Sequence, residues 1–214
     1  MIGEGTPNQV FLAKTYQDLL HRQIDSTGLA GWGALLTAGI PTTQVVLMIE
    51  SSPEYRTVQV QGLYQHLLHR AADPFGLLNG VNFLMGGGTV EQLEIALANS
   101  PEYFQTRGGG TNSGFVTALY QDFLNRGIGG DNGAQGFITG LNQMTMSPAQ
   151  VAAAVVLSPE GRLITVQGYY KQFLRRPLDP AGQSTWVGLL VSGVRDEAVI
   201  AGIMGSTEYF NRAV

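Results

Sequence analysis

The chain has 214 residues, of which 44% are apolar and 13% charged, and its net charge is −4. That is enough apolar material for one or two cores and too little charge for a disordered chain. The lysines are Lys14 and Lys171, and without a basic run no nucleic-acid partner is expected. The absence of cysteine excludes disulfides, thiolate catalysis and cysteine metal sites.

No apolar run reaches the roughly 20 residues of a membrane helix, so no membrane insertion is expected. The start, Met1 to Thr6, lacks the charge and apolar core of a signal peptide. From Gly3 to Asn8 the sequence reads as a Gly-rich link.

The first predicted helix carries Leu12, Tyr16, Leu19 and Leu20. The spacing is that of one apolar helix face. It recurs around Tyr64 (Val60, Leu63, Leu67, Leu68), Tyr120 (Val116, Leu119, Phe123, Leu124) and Tyr170 (Val166, Tyr169, Phe173, Leu174). The chain therefore holds four repeats. Each such helix ends at an arginine: Arg22, Arg70, Arg126 and Arg176. The phrase Arg-x-x-Asp-x-x-Gly follows as Arg22-Asp25-Gly28, Arg70-Asp73-Gly76 and Arg176-Asp179-Gly182. The aspartate reads as the N-cap of a second helix, with Pro74 and Pro180 in the first helical position. The third repeat departs from the phrase and offers Asp131 or Asn132 as its cap. The arginines are expected to reach helix-end carbonyls or a downstream glutamate.

The second helix presents Trp32, Phe137 and Trp186 at matching places, with Gly80 in the second repeat. Gly39, Gly87 and Gly193 suit left-handed C-caps. A third helix follows, with capping boxes at Thr89–Gln92 and Ser147–Gln150. Its inward positions are Val45 and Ile49, Leu93 and Leu97, Val151 and Val155, Val199 and Ile203. The phrase Ser-Pro-Glu-Tyr, or a blurred form of it, then starts at Ser52, Ser100, Ser158 and Ser206. Serine reads as an N-cap, proline as the first helical residue, and glutamate as a partner for the positive helix start.

Nothing breaks the chain between Pro53 and Arg70, or between Pro159 and Arg176, so a long helix is expected to bridge each pair of repeats. Gly62 and Gly168 inside these helices are expected to mark close packing. "RGGGTNSG", Arg107 to Gly114, reads as a flexible link. The expected architecture is all-α, in two similar units. Residues 1–107 would hold repeats at about 9–56 and 57–107. Residues 108–214 would hold a link at 108–114 and repeats at about 115–162 and 163–214. The chain reads as two units of a longer tandem protein.

Leu-Tyr-x-x-x-Leu-x-Arg-x-x-Asp-x-x-Gly…Trp, followed by Ser-Pro-Glu-Tyr, resembles the bacterial domain-of-unknown-function family 4214. The resemblance covers nearly the whole chain and is best from Tyr170 to Tyr209. It implies an all-helical module of large secreted or cell-surface proteins, which often also carry calcium-binding repeats or carbohydrate-active domains. It carries no catalytic residues over. The apolar-Tyr-x-x-x-Leu-x-Arg phrase is also similar to phycobilisome linker domains, whose basic composition this chain lacks.

The titratable residues point to no catalytic constellation. Asp18 and Asp122 recur on what reads as the polar side of the first helix. His66 and His69 share a helix face without an evident third ligand, so no metal is expected there. His21 and His69 fill a slot that holds Asn125 and Arg175 elsewhere, which reads as solvent-facing. "GGDNG", Gly129 to Gly133, lacks the spacing of an EF-hand. No cofactor is expected. Repetition itself suits a scaffold or binding array better than an active site. The expected role is non-catalytic: assembly, spacing or adhesion outside the cell through other protein domains or neighbouring repeat units. A carbohydrate-binding module with surface glycan as partner is the alternative. It would use Trp32, Trp186, Tyr16 and Tyr170 as its ligand-binding set.

Overall fold

The structure, a computed structural model, describes residues 5–214, so Gly3 and Glu4 of the expected leading link lie outside the described residues. The fold is all-helical, with no strand among the described residues. The first two repeats contribute α1 (Pro7–Leu20), α2 (Ser26–Thr37), α3 (Thr42–Glu50), α4 (Pro53–Leu68), α5 (Pro74–Met85), α6 (Val90–Ala98) and α7 (Pro101–Thr106). The third contributes α8 (Asn112–Leu124), α9 (Asn132–Asn142) and α10 (Pro148–Val156). Then come α11 (Pro159–Tyr169), a π-helical turn (Tyr170–Leu174) and α12 (Pro180–Gly182). A second π-helical turn (Gln183–Val187), α13 (Gly188–Val191), α14 (Asp196–Met204) and α15 (Thr207–Ala213) complete the chain.

The helix starts follow from short polar side chains satisfying free amides. Asp25 accepts from the Gly28 amide at 2.8 Å, Asp73 from Gly76 at 2.9 Å and Asp179 from Gly182 at 2.8 Å. Asp131, of the two candidates in the third repeat, accepts from Ala134 at 2.8 Å. Thr89–Gln92 and Ser147–Gln150 are capping boxes, and so is Thr6–Gln9. Pro7 and Asn8 therefore belong to α1 rather than to a link.

Two kinds of left-handed stop end the helices. Gly39, Gly87 and Gly193 have φ of 87°, 95° and 90°. In the first, Gly39 donates to the Leu36 carbonyl and Ile40 to Leu35, the bonding of a Schellman motif. In the third repeat Met144 takes the same place with φ 55° and the same bonds, Met144 to Leu141 and Thr145 to Gly140. The second stop is at His21, His69, Asn125 and Arg175, with φ of 55°, 54°, 52° and 52°. All four are exposed, as expected of that first-helix slot, and the backbone turns left-handed there. Gly62 and Gly168 correct another expectation, since both are exposed and a Cβ on either would meet nothing within 4 Å.

The segment expected to be a flexible link is a tight turn. Gly108 donates to the Tyr103 carbonyl at 3.1 Å and Gly110 to Phe104 at 3.0 Å, while Thr111 caps α8. Gly109 and Gly110 have φ of 59° and 71°. A Cβ on Gly114 would lie 2.0 Å from the Gly108 carbonyl oxygen. Glycine here permits close approach between α7 and α8 as well as the positive φ values.

The chain divides into two compact units, Met1–Val58 with Val166–Val214, and Gln59–Thr165. These do not coincide with the expected 1–107 and 108–214. The first repeat packs with the fourth, and the second with the third. The physical reason is that the divisions fall inside α4 and α11, while the glycine turn folds α7 onto α8. In the first unit Phe11, Leu12, Val45, Ile49, Val166, Val199 and Met204 share one core. In the second, Val60, Leu67, Leu97, Phe115, Leu119, Val151 and Val155 share the other.

Candidate functional site

The motif residues come together four times in one arrangement. The guanidinium of Arg22 lies 5.1 Å from the Tyr16 ring centroid, and those of Arg70, Arg126 and Arg176 lie 5.3, 4.8 and 4.8 Å from Tyr64, Tyr120 and Tyr170. Each arginine also grips a downstream glutamate through Nε and Nη2. The pairs are Arg22–Glu54 at 2.5 and 2.9 Å, Arg70–Glu102 at 2.5 and 2.7 Å, Arg126–Glu160 at 2.5 and 2.9 Å, and Arg176–Glu208 at 2.6 and 2.7 Å. Nη1 turns back to the carbonyl of the next residue. Of the two partners expected for the arginines, the downstream glutamate is used, whereas the carbonyl reached lies in the loop beyond the helix end rather than in the helix. The flat, five-donor guanidinium suits stacking and two-point binding together. The arginine partner holds Glu54, Glu102, Glu160 and Glu208 below the usual carboxylate range.

The glycine of Arg-x-x-Asp-x-x-Gly has a second cause. A Cβ on Gly28, Gly76 or Gly182 would lie 2.9, 2.3 or 2.1 Å from the hydroxyl of Tyr16, Tyr64 or Tyr170. The tyrosine of the first helix thus rests on the glycine of the second. Trp32 Nε1 donates to the Tyr16 hydroxyl at 2.7 Å, and Trp186 Nε1 to Tyr170 at 3.0 Å. Both tryptophans are half-buried against the first core, and both tyrosines are buried. In the third repeat the Tyr120 hydroxyl donates to Asp131 at 3.3 Å. Counted from the Asp131 cap, Ile138 rather than Phe137 takes the tryptophan place.

The second repeat differs. Gly80 holds the tryptophan place, and no side chain among the described residues donates to the Tyr64 hydroxyl. A cavity of about 380 Å³ opens beside it, lined by Tyr64, Gly76, Gly80, Leu93 and Ala96 with Phe75 and Phe83 at its edge.

The serines of Ser-Pro-Glu-Tyr accept the amide three residues on, at 3.2, 3.1, 3.0 and 3.2 Å in chain order. The tyrosine of the phrase finds the recurring aspartate. Tyr103 donates to Asp122 at 2.8 Å and Tyr209 to Asp18 at 2.9 Å. Asp122 also holds Arg107 at 2.5 Å, and Asp18 holds Lys14 at 2.6 Å and Arg175 at 2.9 Å. The Asp18 and Asp122 side chains are 3% and 7% exposed, so they are internal pins rather than a polar face. Burial next to these aspartates pushes the Tyr103 and Tyr209 hydroxyls far above the ordinary tyrosine value.

Two buried ion pairs escaped the sequence. Arg56 on α4 meets Glu197 on α14 at 2.5 Å, and Arg162 on α11 meets Glu91 on α6. Burial pushes both glutamates up. For Glu91, bonds from its own amide, Thr89 and Arg162 outweigh that effect. For Glu197, bonds from Arg195, its own amide and Arg56 do so. The signal was there: Arg56 and Arg162 each stand four residues after the serine of the phrase, where an exposed helix would not need an identical residue. Glu50 is the odd group, fully buried with neither carboxylate oxygen hydrogen-bonded. Burial, then the charge of Glu197, raises it well above the ordinary glutamate value.

The metal candidates separate. His66 Nε2 meets the Asp122 carbonyl at 3.0 Å, His69 is a helix stop, and Asp131 is occupied as a cap. No group of three or more metal-ligating side chains forms among the described residues. No described helix is long and apolar enough to cross a membrane.

Among known families, the one described as Domain of unknown function (DUF4214) matches residues 1–59 and 166–213. Those segments are nearly the two that form the first compact unit. No curated protein and no solved structure matches the chain.

Proposed function

This chain belongs to the family described as Domain of unknown function (DUF4214), and from that premise we propose that it is a non-catalytic tandem-repeat module of a larger secreted or cell-surface bacterial protein. It serves assembly, spacing or adhesion through contacts with other protein domains. The observation that carries this reading is the fourfold Tyr–Arg–Glu clamp. The motif's charged groups recur with the same internal partners, so the motif residues are occupied in holding the fold. Repeated scaffolds commonly bind other molecules through the surfaces that their stacked repeats create.

The indole N–H groups support the same side of the choice. Sugar recognition commonly needs a free aromatic face with polar groups around it, yet Trp32 and Trp186 direct their polar edges inward to tyrosine. The test is a pair of parallel screens of the folded chain, one on a glycan array and one against the domains that flank it in its host protein. Selective binding to a flanking domain is the expected result. Selective glycan binding that disappears in a folded Trp32→Ala/Trp186→Ala variant contradicts the reading.

A further inference from the structure

We propose that the cavity beside Gly80 receives a tryptophan side chain projecting from a partner polypeptide. Three observations point there. The first is the internal template. In the fourth repeat the Trp186 ring lies against Gly202, so closely that a Cβ there would sit 2.6 Å from the ring. Counting from the helix starts, Gly80 corresponds to Trp186, Ala96 to Gly202, Leu93 to Val199 and Tyr64 to Tyr170. The lining of the cavity matches the surroundings of an indole in the same chain except at Ala96, whose Cβ stands where Gly202 has none, so an incoming ring lies farther out than Trp186 does.

The second observation is the unused acceptor. Tyr64 is 9% exposed, and it lines the cavity. The equivalent hydroxyls of Tyr16 and Tyr170 each receive an indole N–H. An incoming ring carrying an N–H donor would complete the bond that the second repeat lacks. A largely apolar cavity with a few polar groups, Tyr64, Asp73, Asn79 and Gln92, at about 380 Å³, falls within the usual size of ligand pockets.

The third observation decides the source of the ring. On α5, Phe75, Leu78, Phe83 and Met85 are 74%, 58%, 42% and 48% exposed. Thr27, Ala30 and Thr37 stand at the matching places of Phe75, Leu78 and Met85 on α2. Of the exposed α5 side chains, Phe75 and Phe83 line the cavity, and exposed apolar side chains at a cavity mouth suit a protein contact. They give the residues flanking a tryptophan something to cover, which a free indole would leave bare. Tryptophan is also the side chain that most often anchors such contacts. The occupant is not a second copy of this chain, because its tryptophans, Trp32 and Trp186, are both held by their own tyrosines.

The proposal rests on the protein-contact reading and names the partner's anchoring group. Its test is amide NMR of the intact chain titrated with N-acetyl-tryptophanamide, its N1-methyl analogue, free indole and the capped tripeptide Leu-Trp-Leu. Saturable shifts are expected at Gly76, Gly80 and Ala96. Methylation of the ring nitrogen should weaken binding about 3- to 10-fold, the worth of one neutral hydrogen bond. Tyr64→Phe should erase that difference, and Ala96→Leu should block the cavity from its exposed side. The tripeptide should bind best, losing its advantage in Phe75→Ser. Absence of saturable shifts, equal binding of the methylated analogue, or indole binding as tightly as the tripeptide overturns the proposal. Flanking-domain binding that persists in Tyr64→Phe and Ala96→Leu, alongside absent tryptophan binding, sinks this proposal alone.

Discussion

Met144 and Glu50 each break a rule that the other repeats keep. Met144 holds a left-handed stop that is glycine in the other three repeats, and its side chain is 91% exposed. The side chain therefore gains little packing while the backbone bears a cost of roughly 1–2 kcal/mol. Met144→Gly should raise stability by about 1 kcal/mol, or roughly 2–4 °C in Tm for a chain of this size. An unchanged or lowered Tm in a thermal melt would refute the strain. Glu50 stands two residues before the serine of its phrase, where Ala98, Val156 and Met204 stand in the other repeats and are buried. Its folded-state value is raised above the ordinary 4.5. The unfolded chain therefore releases this proton first, and stability falls as pH climbs from about 4.5 toward the folded value. Glu50→Leu should flatten that decline and add about 1–3 kcal/mol at neutral pH, the cost of an unpaired buried polar group. Urea unfolding at stepped pH reads both effects.

At the level of elements, helices and caps were legible because local chemistry sets them. Asp25, Asp73 and Asp179 cap, and Thr89 and Ser147 open capping boxes, because each partner lies within three residues. The clamp was partly legible: the downstream glutamate, 32 or 34 residues away, was one of two partners the sequence offered, whereas the tyrosine ring under the guanidinium was not foreseen. Two segments were misread. Glycine density at Arg107–Gly114 carries the same signature in a flexible link and in a tight turn, and only the approach of Gly114 to the Gly108 carbonyl separates them. The left-handed stop at His21, His69, Asn125 and Arg175 was hidden because none of these is glycine, although histidine and asparagine are enriched in that conformation. Gly114→Ala is the discriminating substitution. Forcing a Cβ against backbone should cost about 1–3 kcal/mol, whereas a flexible link would absorb it with no change in the denaturation midpoint.

At the level of the molecule, what distinguishes the two units is which repeats each contains. Sequence order suggested neighbours, first with second and third with fourth, and nothing local in the chain argues otherwise. The pairing is set by distant contacts: Arg56 with Glu197, Tyr209 with Asp18, and Thr42 with the Gly205 carbonyl in one unit, Arg162 with Glu91 and Tyr103 with Asp122 in the other. The buried pair should matter far more than the exposed clamps. Glu197→Gln removes the carboxylate that meets Arg56 in this buried pair and should cost about 3–5 kcal/mol. Glu208→Gln disturbs a pair that water and salt already screen, so its effect should be much smaller and should shrink further in high salt. Equal losses from the two variants in denaturant titrations would mean that the buried pair does not hold the unit together.

The measurement that tests this pairing most directly is the folding of three excised segments. The second unit is continuous in sequence, Gln59 to Thr165, and carries a core of its own. Residues 59–165 expressed alone should be helical by circular dichroism and unfold in one cooperative transition. Residues 1–107 and 108–214, each cut from the partners of their exposed cores, should not. Cooperative unfolding of 1–107 and 108–214, with 59–165 unfolded, would contradict the account.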